Sequence, residues 1–370
     1  MEKPLAAASL TERLAEAGLE LVCPSCKGPL AERRKWFQCG ACGRDYPVVA
    51  GIPDFRLLPD RFISLEDDRR KGLRALDLAQ DQGGGFEAAL DAYWSITPEL
   101  APSIASRHRA HQLMEVDIGD QVLREMERLV TSDVRRSTTD AGKPSPHAGE
   151  STRPRALLDI GCGTAGLLAA AGSRFGATVG VDVAFRWLLV GRLRLREAGL
   201  DSPLICANAE YLPFRAGAFD LVMANDLLEH VVVPAKVLTE CRRVVAPAGY
   251  CYLATNNRYS LAPEPHVQLW GVGFLPRGLQ VPYVQSIRDH SYQNVSLISG
   301  GELRRLAADA GLRCPGIEPA PLFARHFGET IDRVAGAYNR LRLLGPLRAL
   351  LGLLGPRVQT LCRPATNQPL

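Results

Sequence analysis

The stretch that decides the fold is residues 156–182, which reads ALLDIGCGTAGLLAAAGSRFGATVGVD. An apolar run ends at a turn with glycines at 161, 163 and 166, a helical segment follows, and a second apolar run ends at Asp182. A buried strand that enters a glycine-bearing turn and then a helix is the opening of a βαβ unit. The spacing G-x-G-x-x-G fits a nucleoside ligand and does not by itself say which one.

Asp159 separates two kinds of nucleoside ligand. It stands two residues before Gly161, where an ionised carboxylate opposes a pyrophosphate but attracts an ammonium group. The methionine moiety of S-adenosylmethionine carries such a group. Asp182, 21 residues after Gly161, is placed to bind the two ribose hydroxyls. The glycines could instead serve only as turn residues, and Asp182 could merely cap the next helix.

Beyond residue 155, short apolar runs alternate with helical patterns. TVGVDV, PLICAN and FDLVMAN read as strands, with the helical FRWLLVGRLRLREAGL between the first two. A further helix (234–245), strand (250–254) and helix (299–310) continue the series. This alternation predicts an α/β fold with a doubly wound parallel sheet.

Four stretches match, in order, the motifs of a known family: LLDIGCGTAG, VGVDV, CANAEYLPFRAGAFDLVMANDLLEHV and VLTECRRVVAPAGYCYLATNN. From Arg155 to Arg313 the chain resembles class I S-adenosylmethionine-dependent methyltransferases of the type 11 group. The resemblance implies a Rossmann-like, seven-stranded sheet. It also implies that Asn208 and Ala209 bind the adenine edge and that Asn225 lies under the methionine. The donor-binding set expected from residues and resemblance together is Asp159, Gly161, Gly163, Asp182, Asn208, Ala209 and Asn225.

Two CxxC pairs near the N-terminus form a separate module. Cys23 and Cys26 are followed, after twelve residues, by Cys39 and Cys42. Two such pairs supply the four thiolates of a structural zinc site, whereas disulfides or free thiols are the alternatives. The segment 46–58 resembles the zinc ribbon that precedes many class I methyltransferases. The other six cysteines stand singly in apolar surroundings and read as buried small residues.

Composition changes along the chain divide it into five segments. We expect a zinc-ribbon module (1–60), a helical cap segment (61–130), a flexible linker (131–154), a methyltransferase core (155–318) with a lid insertion (256–298), and a C-terminal helical region with a last strand (319–370). The linker assignment follows from the polar, proline-bearing composition of that segment.

The methyl acceptor is the least determined part. Methyl transfer needs alignment of the acceptor more than a dedicated base. The lid insertion begins after a strand end, where open α/β sheets bind ligands, and it carries the best acceptor-side candidates: Arg258, Tyr259, Glu264, His266 and Trp270. His266 is the preferred proton acceptor, and a loop histidine without a role is the alternative. His230 is a second catalytic candidate, although packing or support of the cofactor pocket explains it as well.

Charge and hydropathy bear only weakly on partners. The net charge is +4 and the pI is about 8.5, which demands no nucleic-acid partner. No secretory signal or membrane-spanning stretch is visible, so we expect a cytoplasmic protein. The apolar segment 341–356 reads as a packed helix pair or as a peripheral membrane contact.

Three functions remain open at this point. The first is a methyltransferase for a small-molecule or lipid-linked acceptor. The second is an RNA methyltransferase that uses its zinc ribbon and the basic stretches 33–35 and 69–71 to contact RNA. The third is a non-catalytic zinc-ribbon adaptor. The intact glycine turn and the acidic residues Asp159 and Asp182 argue against it.

Overall fold

A computed structural model describes residues 9–81, 83–100, 102–141, 156–288, 292–323 and 329–365. The chain divides into two compact units. The first comprises Met1–Asp120, Glu150–Val222 and Arg243–Ala246, and the second comprises Gln121–Gly149, Met223–Arg242 and Pro247–Leu370.

The described residues form strands and helices along the whole chain. The strands are β1 Leu30–Glu32, β2 Trp36–Cys39, β3 Asp45–Val49, β4 Ile52–Pro53, β5 Ala156–Ile160, β6 Ala177–Asp182, β7 Leu204–Cys206, β8 Phe219–Asn225, β9 Val245–Asn256, β10 Leu312–Arg313, β11 Glu318–Pro319 and β12 Arg357–Pro364. The α-helices are α1 Leu10–Glu16, α2 Leu65–Asp81, α3 Phe86–Ser95, α4 Pro102–Ala141, α5 Gly166–Ala171, α6 Phe185–Glu197, α7 Pro234–Val244, α8 Arg277–Gln285, α9 Gly300–Asp309, α10 Glu329–Leu341 and α11 Gly345–Leu354.

The first unit opens with a small antiparallel sheet in the order β1-β2-β3-β4. Phe37 and Tyr46 pair across β2 and β3, and the ring of Phe55 lies 5.2 Å from both of theirs. All three side chains are buried. This aromatic cluster gives a sheet of short strands its own core.

The first unit also holds strands in the order β8-β5-β6-β7, where β8 contributes its residues up to Val222 and β5, β6 and β7 run parallel. Every residue of β5 is buried, as expected for a strand of a parallel sheet. Leu158 pairs with Val179, and Val181 pairs with Ile205. Helices α2, α3 and α6 contact one another in this unit.

In the second unit the strand order is β10-β12-β9-β8, with β11 also pairing with β12. Strand β12 runs antiparallel to β9, and Leu361 lies opposite Tyr252. Beneath this pair, Arg342 forms a bidentate ion pair with Glu125 in which both distances are 2.8 Å. Gln359 joins them by donating to Glu125 and accepting from the hydroxyl of Tyr252. A buried polar network of Arg342, Glu125, Gln359 and Tyr252 therefore lies inside this unit, and within the described residues only Nε of Arg342 in it lacks a hydrogen-bond partner.

The predicted α/β class is confirmed, with the cysteine module and the helical segment preceding the sheet. The predicted linker is wrong in its first part, since α4 continues to Ala141. The hydroxyls of Thr131 and Ser132 bond back to helix carbonyls at 2.9 Å, so these polar residues do not end the helix. Asp133, on the same helix, pairs with Arg363 at 2.8 Å. The rest of the predicted linker, 142–154, lies outside the described residues.

Two further observations bear on possible membrane contact. No helix among the described residues combines the length and hydropathy needed to cross a membrane. Helix α11 has no buried residue, and its leucines Leu350 and Leu353 are largely exposed. In place of the helix pair considered for 341–356, the segment contains one helix, α11, which packs on β11 and leaves these two leucines exposed.

Candidate functional site

The glycine turn of the first unit is a bend of left-handed backbone. Gly161 and Gly163 have φ angles of 80° and 50°, and Ala165 has a φ of 62°. Such angles favour glycine because a Cβ crowds the backbone there. The backbone N–H of Gly161 donates to the carbonyl of Val181 at 2.7 Å, which ties the turn to the end of β6.

Asp159 precedes this turn by two residues, and its carboxyl group is buried. It is 4% exposed, and none of the described residues donates a hydrogen bond to its carboxylate. Burial, together with the charges of Asp182 and Glu115, raises its pKa to about 8. A buried acid with no cation beside it provides a site for a cationic ligand group.

Asp182 stands at the end of β6, as predicted. One of its oxygens accepts from the N–H of Gly163 at 2.8 Å, and the other accepts from the N–H of Ala184 at 2.7 Å. Burial raises its pKa to about 6, and these two hydrogen bonds oppose the rise. Each carboxylate oxygen keeps a second acceptor position, which suits a pair of hydroxyls.

Glu115, which the sequence analysis did not identify, is a third acidic residue whose charge acts on Asp159. It lies on α4, accepts from the hydroxyl of Thr164, and pairs with Arg194 at 2.7 Å. No motif indicated it. The nearest signal was Gly119 one turn later on α4, where an added Cβ would lie 2.7 Å from the backbone of Leu167.

Asn208 and Ala209 follow β7 in a buried loop. The side-chain oxygen of Asn208 accepts from the N–H groups of Leu57 and Leu58 at 2.9 and 3.0 Å, and its nitrogen donates to the carbonyl of Leu58 at 3.1 Å. The residue expected to hold the adenine edge thus bonds the chain that follows the cysteine module.

In the second unit, Asn225 ends β8 beside Asp226, whose φ is 53°. Arg357 donates to the side-chain oxygen of Asn225 at 3.0 Å and to both oxygens of Asp226 at 2.6 Å. Burial lowers the pKa of Arg357, but the charge of Asp226 outweighs it and the pKa is raised. The sequence did not indicate a role for Arg357, because the surrounding segment RVQTLCR shows only the pattern of a strand.

The second unit also brings both candidate histidines together. Their Nε2 atoms lie 3.3 Å apart, and Nδ1 of His266 bonds the buried carboxylate of Glu264. Burial opposes charge on His266, but the bond to Glu264 prevails and raises its pKa. Burial lowers the pKa of His230. The pair can therefore share one proton, and Glu264 stabilises it on His266.

The remaining lid candidates have structural roles or face solvent. Arg258 donates to the carbonyls of Gly273 and Leu275 at 3.0 and 3.3 Å, so it holds the insertion together. Tyr259 packs its ring 5.7 Å from that of Phe274. Trp270 is exposed.

The four N-terminal cysteines converge. Their Sγ atoms all lie within 4.8 Å of one another. Cys23 and Cys42 are 3.7 Å apart, and Cys26 and Cys39 are 3.5 Å apart. The phenol oxygen of Tyr46 lies 3.1 Å from Sγ of Cys23. Four sulfurs this close can surround one metal ion.

Of the six scattered cysteines, four are buried thiols, as predicted: Cys162, Cys206, Cys241 and Cys251. The prediction is wrong for Cys314 and Cys362, which form a disulfide. Strand β12 explains this, because Leu312 and Arg313 of β10 pair with residues 363–364 and thereby bring the two cysteines together across 48 residues of sequence. Spacing alone could not reveal that register.

The second basic stretch considered for RNA contact is neutralised within the first unit. Arg69 pairs with Asp54 at 2.6 Å, and Arg70 and Lys71 pair with Asp67 and Glu99. Cations already paired with carboxylates contribute little to binding phosphate.

Comparison with known proteins finds methyltransferases. A family model described as a methyltransferase domain matches residues 158–253. A ubiquinone biosynthesis O-methyltransferase from Thiobacillus denitrificans is 38% identical over 163 residues, which is 42% of this chain and 63% of that protein. A protein of the same name from Chromobacterium violaceum is 31% identical over 55% of this chain and 78% of its own length. Among solved structures, geranyl diphosphate C-methyltransferase from Streptomyces coelicolor has a TM-score of 0.39 at 18% identity, covering 57% of this chain and 71% of that one.

Three observations agree with one another. They are the extent of the match to the Chromobacterium violaceum protein, the matching methyltransferase domain, and the glycine turn flanked by acidic residues. They favour an enzyme over a non-catalytic adaptor. The chain belongs to the family of S-adenosylmethionine-dependent methyltransferases, with a four-cysteine module ahead of its methyltransferase domain.

Proposed function

We propose that this enzyme transfers a methyl group from S-adenosylmethionine to a hydroxyl group of a small-molecule or lipid-linked acceptor. The observation that carries the proposal is the buried carboxyl group of Asp159 next to the glycine turn, to which no residue in the described part of the chain donates a hydrogen bond. The choice of a hydroxyl acceptor is supported by the relatives, which are named O-methyltransferases.

The donor is assigned to residues by charge and hydrogen-bonding capacity. Asp159 takes the ammonium of the methionine part, and Asp182 takes the ribose hydroxyls. The backbone at Gly161 and Gly163 lets the ligand approach without a Cβ in the way. For Ala209 and Asn225 we keep the roles that the family resemblance implies, at the adenine and at the methionine respectively. The bound donor supplies a methyl group on a sulfonium, and the chain's own residues orient it and exclude water.

The acceptor proton is assigned to the histidine pair. In the transfer the sulfur–methyl bond breaks with its electron pair left on sulfur, an oxygen–methyl bond forms, and the hydroxyl proton passes to a base. We assign that proton to Nε2 of His266, shared with Nε2 of His230, because the Nδ1 bond to Glu264 raises the basicity of the ring.

The test measures turnover with catechol as the probe acceptor. His266→Ala should lower kcat about 10²- to 10⁴-fold, the usual contribution of a general base. Binding of S-adenosylhomocysteine should stay at the wild-type level. His111→Ala, which removes an exposed histidine, is the matched control. Full turnover of His266→Ala would remove the assigned role.

The lipid-linked alternative is favoured by exposed apolar residues of the second unit. Those on or beside α10 and α11 are Val334, Leu341, Leu343, Leu344, Leu350 and Leu353. We infer that segment 341–356 contacts a bilayer, as apolar faces do at membrane surfaces.

Vesicle sedimentation tests this contact. The double variant Leu350→Ser, Leu353→Ser should lose binding to phosphatidylglycerol vesicles and turnover of a long-chain alkylcatechol held in them, with catechol turnover in solution intact. Val232→Ser, at another exposed apolar position of this unit, is the control. If the wild type, the double variant and Val232→Ser bind vesicles equally, segment 341–356 does not contact the bilayer. The proposed acceptor is then a small molecule and not a lipid-linked one.

We also propose that the cysteine cluster holds zinc. A tetrahedral site with zinc–sulfur bonds of about 2.3 Å sets its sulfurs roughly 3.8 Å apart. The separations of 3.7 and 3.5 Å fit that figure. Four thiolates leave no position for substrate, so this zinc would be structural. Metal analysis of Cys26→Ser should show its loss.

A further inference from the structure

The cysteine module is hydrogen-bonded to both ends of the loop 207–211, here called the adenine loop. Ahead of the loop, Asp54 pairs with Cys206 in parallel register, and the N–H of Phe55 donates to the carbonyl of Cys206 at 2.7 Å. After the loop, the N–H of Val22 donates to the carbonyl of Pro213 at 3.0 Å. The adenine loop is thus bracketed by one small module.

The contacts that follow the adenine loop come directly from the metal-binding turn. Val22 precedes Cys23, and Lys27 follows Cys26. Nζ of Lys27 donates to the carbonyl of Leu212 at 3.1 Å, and Lys27 itself has a φ of 60°. A lysine in the left-handed region needs the surrounding turn to hold it there. Metal bound at Cys23 and Cys26 would fix this turn.

The loop is also held from its middle. Asn208 uses both acceptor positions of its amide oxygen on the N–H groups of Leu57 and Leu58, and one of its two donors on the carbonyl of Leu58. An asparagine oxygen has two lone pairs. The oxygen therefore has none left for an adenine amino group, and the side chain fixes the loop to residues 54–60, here called the ribbon tail.

The ribbon tail secures the ribose side as well. Arg56 is buried and pairs with Asp54 and Asp68 at 2.6 Å each, and it donates to the carbonyl of Val183 at 2.9 Å. Asp68 in turn accepts from the N–H of Phe185 at 2.8 Å. These bonds hold the backbone just after Asp182.

We propose that the cysteine module and its ribbon tail are structural parts of the donor site, that Asn208 positions the adenine loop instead of bonding the adenine, and that donor affinity depends on metal in the module. The inference rests on the proposed donor and zinc sites. Without metal, the turn 23–27 loses its constraint, and the contacts at Leu212 and Pro213 weaken with it.

The first test compares metal-loaded and metal-stripped full-length protein. Zinc is removed with a chelator under reducing conditions, and S-adenosylhomocysteine is titrated by calorimetry. The Kd should rise at least tenfold on stripping and return when zinc is added back, with far-UV circular dichroism showing the sheet retained. Lys27→Met, which keeps all four thiolates, should raise the Kd severalfold with zinc content unchanged. Gln38→Ala, at an exposed position of β2, should leave the Kd alone.

The second test separates positioning from direct contact by Asn208. Asn208→Leu should weaken S-adenosylhomocysteine and S-inosylhomocysteine, in which an oxygen replaces the adenine amino group, by the same factor. It should also speed amide exchange at Leu57 and Leu58. If the variant loses only the preference for the adenosyl ligand, Asn208 bonds the base and the positioning role is wrong.

The outcomes distinguish this inference from the function it rests on. Equal affinity with and without zinc, together with a wild-type Kd for Lys27→Met, would overturn the inference and leave the donor site standing. Failure of the metal-loaded protein to bind the ligand at all would instead contradict the proposed donor site. Should stripping unfold the chain, Lys27→Met and Asn208→Leu still decide the question.

Discussion

Replacing Asp159 with asparagine removes the charge assigned to the donor's ammonium and keeps the side chain's shape. Opposite charges about 4 Å apart attract by roughly 4 kcal/mol at an effective dielectric constant of about 20. Because the pKa of Asp159 is raised to about 8, ionising it at pH 7.5 costs about 1 kcal/mol. An asparagine oxygen would still accept one hydrogen bond, worth about 1 kcal/mol. The net loss of about 2 kcal/mol corresponds to a Kd raised roughly 30-fold.

Calorimetry with S-adenosylhomocysteine at pH 7.5 measures this loss. Asp201→Asn is the matched control, since it removes the same charge from an exposed position of the first unit. 5′-Methylthioadenosine, which lacks the amino-acid part, should bind Asp159→Asn and the wild type alike. Wild-type affinity of Asp159→Asn for S-adenosylhomocysteine would refute the charge argument, and equal losses for both ligands would mean that the substitution damages the pocket itself.

Three other predictions follow from ionisable groups. Binding of S-adenosylhomocysteine at pH 7 should release about one proton, because Asp159, with a pKa of about 8, must ionise. Calorimetric binding enthalpies that are the same in buffers of different ionisation enthalpy would contradict this release. Arg342→Met should lower the free energy of urea unfolding at pH 7 by about 3 kcal/mol by leaving Glu125 buried and underpaired. Burial raises the pKa of Glu125, but Arg342 outweighs burial and lowers this pKa to about 2. The ion pair therefore stabilises the fold above about pH 4.5, and its contribution fades at lower pH. If the difference in unfolding free energy between wild type and Arg342→Met is the same at pH 5 and pH 3, the ion pair is not its cause. Glu264→Gln should move the acidic limb of the catechol pH–rate profile to lower pH, since the carboxylate raises the pKa of His266, and an unmoved limb would contradict the assignment.

The parts of the fold that depend on neighbouring residues could be predicted from the sequence. The glycine turn, the acid at the end of β6 and the four cysteines are local patterns with a physical cause, and each lies where its pattern indicated. The helix predicted over 299–310 runs from Gly300 to Asp309, and the hydroxyl of Ser299 caps it. Such signals survive folding because they describe the chain's own backbone.

The parts that depend on distant residues could not be predicted. Arg357 reaches Asp226 over 131 residues, and the partners of Asn208 lie about 150 residues before it. The disulfide between Cys314 and Cys362 depends on the antiparallel register of β10 and β12. Polar composition misled at Thr131 and Ser132, because their hydroxyls bond to the helix instead of ending it. Tertiary pairing sets all of these features.

The most direct test of the donor assignment is a titration of the full-length, zinc-loaded protein with S-adenosylmethionine and, separately, with NADH. We expect one molecule of the methyl donor bound per chain and no heat from the dinucleotide, because the carboxylate of Asp159 attracts an ammonium and repels a pyrophosphate. Binding of NADH with no response to S-adenosylmethionine would contradict it.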